Sequence, residues 1–331
     1  MKLIKPDYFD TFRCIASACP DSCCKEWDVA VDAEKAAFYR NLSGPLGDRL
    51  RQVLYEEGGD TYMAIKNRRC PMWRNDGLCR IHAELGEDAL CKTCREFPRL
   101  THDYGDFVEL GLELSCPEAA RMILSTPAPT YIQTELPGGD EPEYDEDAMA
   151  VLLRTRDVIR QILADDTYTV PEVLALALMY GYHAQAELDG AEAAPFDKEA
   201  ALDEAKQFAV PYDPDVILNF FRNLEILTDS WGNRLNTPSP ASWASRYRTL
   251  ARYYVDRYWL QAVSDYDLVS RVKLAIISCL TVLTLGGDFI ATTQLYSKEI
   301  ENSIDNIEAI LDGAYSAPAF TDQNLLGLLL L

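Results

Sequence analysis

The sequence predicts a mainly α protein in two parts: a cysteine-rich metal-binding N-terminal domain with small β-hairpins over residues 1–125, a linker over 126–143, and a helical domain over 144–331. Three observations carry this expectation. The chain has 331 residues, more than the roughly 250–300 at which a single core usually divides. Nine of its ten cysteines precede residue 117, so the two parts differ in chemistry. Between them, Ser-Thr-Pro-Ala-Pro-Thr-Tyr-Ile-Gln-Thr-Glu-Leu-Pro-Gly-Gly-Asp-Glu-Pro-Glu143 combines four prolines, a Gly-Gly pair and acids without a sustained apolar period, the composition of a connector.

In the first part, residues 32–42 and 45–56 read as short helices, the second with Leu46, Leu50, Val53 and Leu54 on one face. Residues 69–82 hold Asn75-Asp76-Gly77 between two short segments, a hairpin signal that sets Cys70 and Cys79 on opposing arms. A short helix over 83–94 follows, then a second hairpin pairing 100–104 with 107–114, then a helix opening after Cys116-Pro117-Glu118. Little sheet is expected beyond the two hairpins. After the linker the pattern is helical almost throughout. Met149, Leu152, Leu153, Val158 and Ile162 recur at three- and four-residue spacing, and Thr169-Val-Pro-Glu172 is a capping box with an early proline. Further helices are expected over 171–188, 197–208, 213–227, 239–263, 265–285 and 292–311.

Composition removes several classes of function. Lys and Arg number 31 against 53 Asp and Glu, a net charge of −22; such a surface repels phosphate backbones, so no nucleic-acid partner is expected. The charge is uneven. Residues 1–125 hold 17 basic against 21 acidic side chains and residues 126–331 hold 14 against 32, so the second part carries a net −18 that attracts cationic protein surfaces. The apolar runs 274–285 and 325–331 fall short of the roughly 20 residues that span a bilayer, so no membrane partner is expected. The opening Met-Lys-Leu-Ile-Lys-Pro-Asp has charges where a secretory signal needs its apolar region. A cytoplasmic location is expected.

In a reducing compartment the cysteines need an explanation other than disulfides, and nine would leave one unpaired. Metal binding supplies one, because soft centres such as zinc and iron–sulfur clusters prefer thiolate and draw four ligands from two or more chain segments. Cys19 and Cys23, Cys70 and Cys79, and Cys91 and Cys94 are each spaced to offer neighbouring ligands. Successive side chains of an extended segment point apart, so the vicinal pair Cys23-Cys24 can serve two centres or leave one sulfur spare. Eight ligands satisfy two sites, and the spacing alone leaves the partition, and zinc against iron, open. His82, three residues after Cys79, is an alternative ligand or a surface histidine.

These residues resemble a family. Cys14-Ile-Ala-Ser-Ala-Cys19-Pro-Asp-Ser-Cys23-Cys24-Lys-Glu-Trp27, Cys70-Pro-Met-Trp, Gly77-Leu-Cys-Arg-Ile-His82, Leu85-Gly-Glu, Thr93-Cys-Arg-Glu-Phe-Pro-Arg99 and Leu114-Ser-Cys-Pro-Glu-Ala-Ala-Arg121 look like the flagellin lysine N-methylase family, related to a zinc- or iron-chelating cysteine-rich domain. The likeness covers roughly residues 8–125. Its pattern matches Cys14, Cys19, Cys23, Cys24, Cys70, Cys79, Cys94 and Cys116 as metal ligands, with Cys91 looking like an extra. The resemblance implies an iron–sulfur cluster (4Fe-4S, with zinc the alternative) and S-adenosylmethionine-dependent methylation of lysines on flagellin or a similar lysine-bearing protein.

Methyl transfer from a sulfonium to a lysine needs a neutral amine, whereas free lysine, with a pKa near ~10.4, is protonated at neutral pH. A site must therefore desolvate it, hold a nearby cation, or supply a base. A water-excluding cleft is expected at the junction of the two domains, with Tyr or acidic side chains for the amine and arginines for the cofactor carboxylate. The segment Trp243, Tyr247, Leu250, Tyr254, Tyr258 has helical spacing and reads as a packed interface; no catalytic or cofactor-binding residue is singled out from it. There is no Gly-x-Gly-x-x-Gly after a strand and no alternation of strands and helices. Nor is there a Cys-x3-Cys-x2-Cys pattern of the radical S-adenosylmethionine type. Those absences keep a second class open: a non-catalytic, metal-stabilised interaction or metal-handling protein whose acidic helical domain docks a basic partner.

Overall fold

The computed structural model describes residues 1–24, 29–66 and 69–331. The Lys25-Glu26-Trp27 end of the first cysteine motif lies outside the described residues. The chain is mainly helical, 57% helix and 12% strand.

Seven strands form two sheets among the described residues: β1 (Lys2–Pro6), β2 (Val29–Val31), β3 (Leu54–Glu57), β4 (Asp60–Met63), β5 (Arg99–Asp103), β6 (Phe107–Leu112) and β7 (Tyr131–Glu135). The larger sheet has the order β5-β6-β1-β7. Its β5 and β6 are the second expected hairpin; β1 runs parallel to β6 and antiparallel to β7. The smaller has the order β2-β4-β3.

This is more sheet than two hairpins. β1 carries two lysines and a proline, and β7 is an exposed edge strand inside the segment expected to be a linker, so neither shows an apolar alternation; each is held by its partner's backbone. The end of the expected 45–56 helix turns instead into β3, which meets β4 across Gly58-Gly59, both at positive φ as a tight hairpin turn requires. The expected hairpin around Asn75-Asp76-Gly77 is reduced to a turn closed by one bridge, Trp73 to Cys79, since Pro71 can donate nothing to a ladder.

Helices α1 (Ala33–Asn41) and α2 (Gly44–Val53) precede α3 (Arg80–Leu85) and α4 (Lys92–Glu96), which replace the single helix expected over 83–94. Gly86, at φ 87°, ends α3. After α5 (Pro117–Leu124) come α6 (Glu146–Ala164), opened by Asp145, and α7 (Val170–Leu188), opened by the Thr169–Glu172 capping box. Then follow α8 (Lys198–Phe208), α9 (Asp215–Arg222), α10 (Asp229–Asn236), α11 (Arg246–Tyr258), α12 (Val269–Leu285), α13 (Phe289–Ile300), α14 (Ile304–Ser316) and α15 (Asp322–Leu330). The expected 213–227 helix stops early because Thr228 caps α10, and the expected 292–311 helix divides where Ser303 caps α14. No helix among the described residues is long and apolar enough to cross a membrane.

Two hydrophobic cores result. The main one surrounds α12, which is buried on nearly every side and therefore central. It takes in Phe12, Phe107, Leu112, Leu114 and α5, so the larger sheet packs on the helices. The second is small: Val29, Val31, Tyr39, Leu50, Met63, Met72 and Ile81 with Cys70 and Cys91, against which Cys24, Cys79 and Cys94 pack.

Candidate functional site

Five of the nine N-terminal thiols belong to or line the second core, and local hydrogen bonds explain how short segments hold them there. Cys70 N–H donates to the Cys24 carbonyl at 2.7 Å, and Arg80 N–H donates to Met72 at 2.7 Å, fixing Cys79 beside them. Asp32 caps α1 by accepting from Lys35 N–H and also accepts from Lys92 N–H at 2.7 Å, while the buried Tyr39 hydroxyl donates to Ala89 at 2.6 Å. Together these position Cys91 and Cys94 against α1.

The sulfurs hydrogen-bond to one another. Cys24 donates to Cys23 and Cys79, which raises its own pKa; the same bond lowers that of Cys79 to about 6 and lowers that of Cys23. The Cys94 thiol donates to Cys91, raising Cys94 and lowering Cys91. Burial pushes Cys70 up to about 11. Cys91, read as an extra, is thus a buried member of this group. Cys14, Cys19 and Cys116 stand apart: Cys19 senses the charges of Cys14 and Cys23, and Cys116, raised by burial to about 12, senses those of Cys19 and Cys23. Among the described residues no three Cys, His, Asp or Glu groups close into a metal-holding set; the thiols stand as hydrogen-bonded neighbours. The donor chemistry nevertheless fits a soft metal or cluster, because sulfurs that share protons already carry thiolate character, the form that binds.

A second feature lies between the larger sheet and the helices. On the face of that sheet His102 of β5 pairs with Glu109 of β6, Glu109 with Ile4 of β1, and Pro6 of β1 with Tyr131 of β7. Opposite stand Arg160 of α6 and Tyr253, Asp256 and Arg257 of α11, leaving a cleft of about 50 Å³. Its charges are matched. Arg156 grips Glu109 through two bonds of 2.8 and 2.6 Å. Asp256 accepts from Arg160 at 2.7 Å, Tyr131 at 2.5 Å and Arg252 at 3.2 Å; burial disfavours its charge, yet the arginines hold its carboxyl below the usual range. Burial raises Tyr8, Tyr131 and Tyr253 and lowers His102, whose Nε2 has no hydrogen-bond partner among the described residues.

The apolar face of α11 packs as expected: Tyr247, Leu250, Tyr254 and Tyr258 are buried. The other side of the helix carries the polar network that periodicity did not reveal. The carboxylate of Glu301, its side chain closed off from solvent, accepts from Tyr253 at 3.0 Å, Arg257 at 3.1 Å, Tyr258 at 3.3 Å and Ser297 at 2.5 Å. One turn away on α13, Lys298 and Gln294 donate to Asp21 at 3.0 and 3.1 Å. Asp21 lies between Cys19 and Cys23, so α13 ties the cysteine segment to the helices that wall the cleft.

The fold and site define a mainly helical protein with a clustered-thiol unit beside a tyrosine- and arginine-lined cleft. The chain is similar to the flagellar biosynthetic protein FliU of Salmonella muenchen, 34% identical over 135 residues that take in 37% of this chain and 77% of that protein. It is also 33% identical over 130 residues to lysine-N-methylases of Salmonella typhimurium and Salmonella choleraesuis, covering 37% of this chain and 32% of each relative. The match to the two methylases therefore spans about a third of their length. No family model and no solved structure matches. The chain belongs to the flagellin lysine N-methylase family.

Proposed function

We propose that this protein is an S-adenosylmethionine-dependent lysine N-methylase of the cytoplasm, acting on flagellin or a similar lysine-bearing protein. We propose also that an iron–sulfur centre is held by ligands drawn from most of Cys14, Cys19, Cys23, Cys24, Cys70, Cys79, Cys94 and Cys116. The observation that carries the activity is the 33% identity to proteins named lysine-N-methylase. The thiols support a resident soft metal, which would supply the stability that a small second core lacks, since binding free energy in such a unit is folding free energy. The net −18 after residue 125 supports a cationic protein substrate.

Incubation with S-adenosylmethionine and purified flagellin should add mass in methyl increments on lysine. Anaerobically purified protein should contain iron and acid-labile sulfide; colourless protein holding zinc alone would reverse the choice of metal. A second reading, a metal-stabilised docking module, is favoured by one observation. No Gly-x-Gly-x-x-Gly follows any of the described strands, so the usual nucleotide-binding turn is missing. Saturable binding of S-adenosylmethionine separates the two, because a docking module has no use for it.

A further inference from the structure

We propose that the cleft between the larger sheet and α11 takes the end of an unbranched primary alkylamine, the side chain of a substrate lysine, and that His102 Nε2 receives its proton. This rests on the methylase reading and names the base that reading lacks.

The shape of the cleft comes first. On the sheet it is lined by the apolar Ile4, Pro6 and Leu100 together with His102, and on α11 by Tyr253 and Asp256. About 50 Å³ is room for a few water-sized groups, enough for a terminal methylene and nitrogen. Tyrosine ring faces attract a cation on entry.

Elimination then points to the base. Asp256 and Glu109 are saturated by arginines, and Arg257 is committed to Glu301 and the Tyr253 hydroxyl. Among the described residues lining the cleft, His102 alone keeps a buried side-chain nitrogen or oxygen without a hydrogen-bond partner. The groups facing it are Glu109 across the hairpin, Arg156 on α6 and Arg257 on α11. Burial and the two arginines keep the imidazole neutral against the pull of Glu109, so at neutral pH it can accept a proton. The same burial and arginines disfavour an ammonium in the cleft, which narrows the gap between lysine and imidazole.

The step balances. The lysine Nζ proton passes to Nε2 and frees the nitrogen lone pair. An N–C bond forms to the methyl of the sulfonium donor as its S–C bond breaks, the electron pair stays on sulfur as a neutral thioether, and the positive charge moves to the methylated nitrogen. The imidazolium returns its proton to solvent.

The test uses the full chain as purified, with its metal. Two measurements are made: imidazole ¹⁵N signals of the three histidines during titration with n-butylamine, and methyl transfer to flagellin against pH for the wild type and His102→Gln. Butylamine should shift His102 and leave His183 unmoved. His102→Gln should melt as the wild type does and lose about 100-fold in kcat with little change in KM, the usual scale of general-base catalysis; its rate should also lose the fall toward acid pH that protonation of the imidazole imposes. A His102 signal indifferent to butylamine, or a variant with unchanged rate and pH profile, overturns the proposal while methylation by the wild type stands. If the wild type transfers no methyl yet butylamine moves His102, the amine site stands and the methylase reading fails. Should His102→Gln not fold, the butylamine titration of the wild type decides.

Discussion

Replacing Glu301 by alanine tests whether the wall of the cleft is held by a buried charge network. The Glu301 side chain is closed off from solvent, and that of Arg257, its partner, is 12% exposed. Removing the carboxylate takes from that guanidinium its hydrogen-bonded counter-charge, with Glu113 left as a second acidic neighbour, and the Tyr253, Tyr258 and Ser297 hydroxyls lose their acceptor. Breaking a buried pair from one side costs about 3–5 kcal/mol. Unfolding entropy near the midpoint is about 2.1 cal/mol/K per residue. For 331 residues melting as one unit this gives roughly 0.7 kcal/mol/K, so Tm should fall by about 4–7 °C. Calorimetry at one scan rate measures it. The double variant Glu301→Leu with Arg257→Met should melt closer to the wild type than Glu301→Ala does, because no orphan charge remains. A single-variant loss below about 1 °C, or a double variant worse than the sum of its parts, would refute the network as the support of α11.

Three further outcomes follow from other contacts. Asp165, held by Lys198 at 2.5 Å, has its pKa lowered to about 2; the stability it contributes is present above its unfolded value near 4 and disappears as pH falls through 2, so the Tm gap between wild type and Asp165→Asn should narrow from pH 7 to pH 3. Gly286 sits at φ 64° with Ser239 O at 1.7 Å from where a Cβ would stand, so Gly286→Ala should cost about 3 kcal/mol or more in urea unfolding. Asp21→Ala removes the acceptor of Lys298 and Gln294; hydrogen exchange should speed at residues 14–24 while α12 keeps its protection.

What sequence reasoning caught follows from local physics. The capping box at Thr169, the hairpin of β5 and β6 and the thiol-rich first part all have signals inside a few residues. So does the buried stripe of α11, whose spacing is its own evidence of packing. The misses are the elements whose partner is distant. β1 pairs with β6 and β7, more than 100 positions away, and its Lys-Leu-Ile-Lys-Pro sequence carries no alternation to announce it. His102 has acidic and polar neighbours that suggest a surface strand. Only the order β5-β6-β1-β7 sets it in one row with Glu109 and Ile4 under α11. The arginines of α11 carry no pairing signal in the sequence: Arg252 and Arg257 are engaged by Asp256 and Glu301, and the second of these partners lies 44 positions away.

Within the proposed function, the two sites divide the work along the two cores. Burying thiols in the second core costs little while they are protonated and more once they ionise, so Cys24 and Cys94 keep their protons and lend them to Cys23, Cys79 and Cys91. A soft cation of the kind proposed would replace those protons with a stronger bond and tie the cysteine segments together. The link from them to the cleft runs through one helix. Asp21, between Cys19 and Cys23, meets Lys298 and Gln294 of α13, and the next turn presents Glu301 to Arg257 and Tyr253. Displacement of a methyl by an amine needs orientation, exclusion of water and a proton acceptor, and no electron. In that proposal a centre at the sulfurs would contribute to the reaction by holding Asp21 in place and keeping the cleft wall aligned, whichever metal it held.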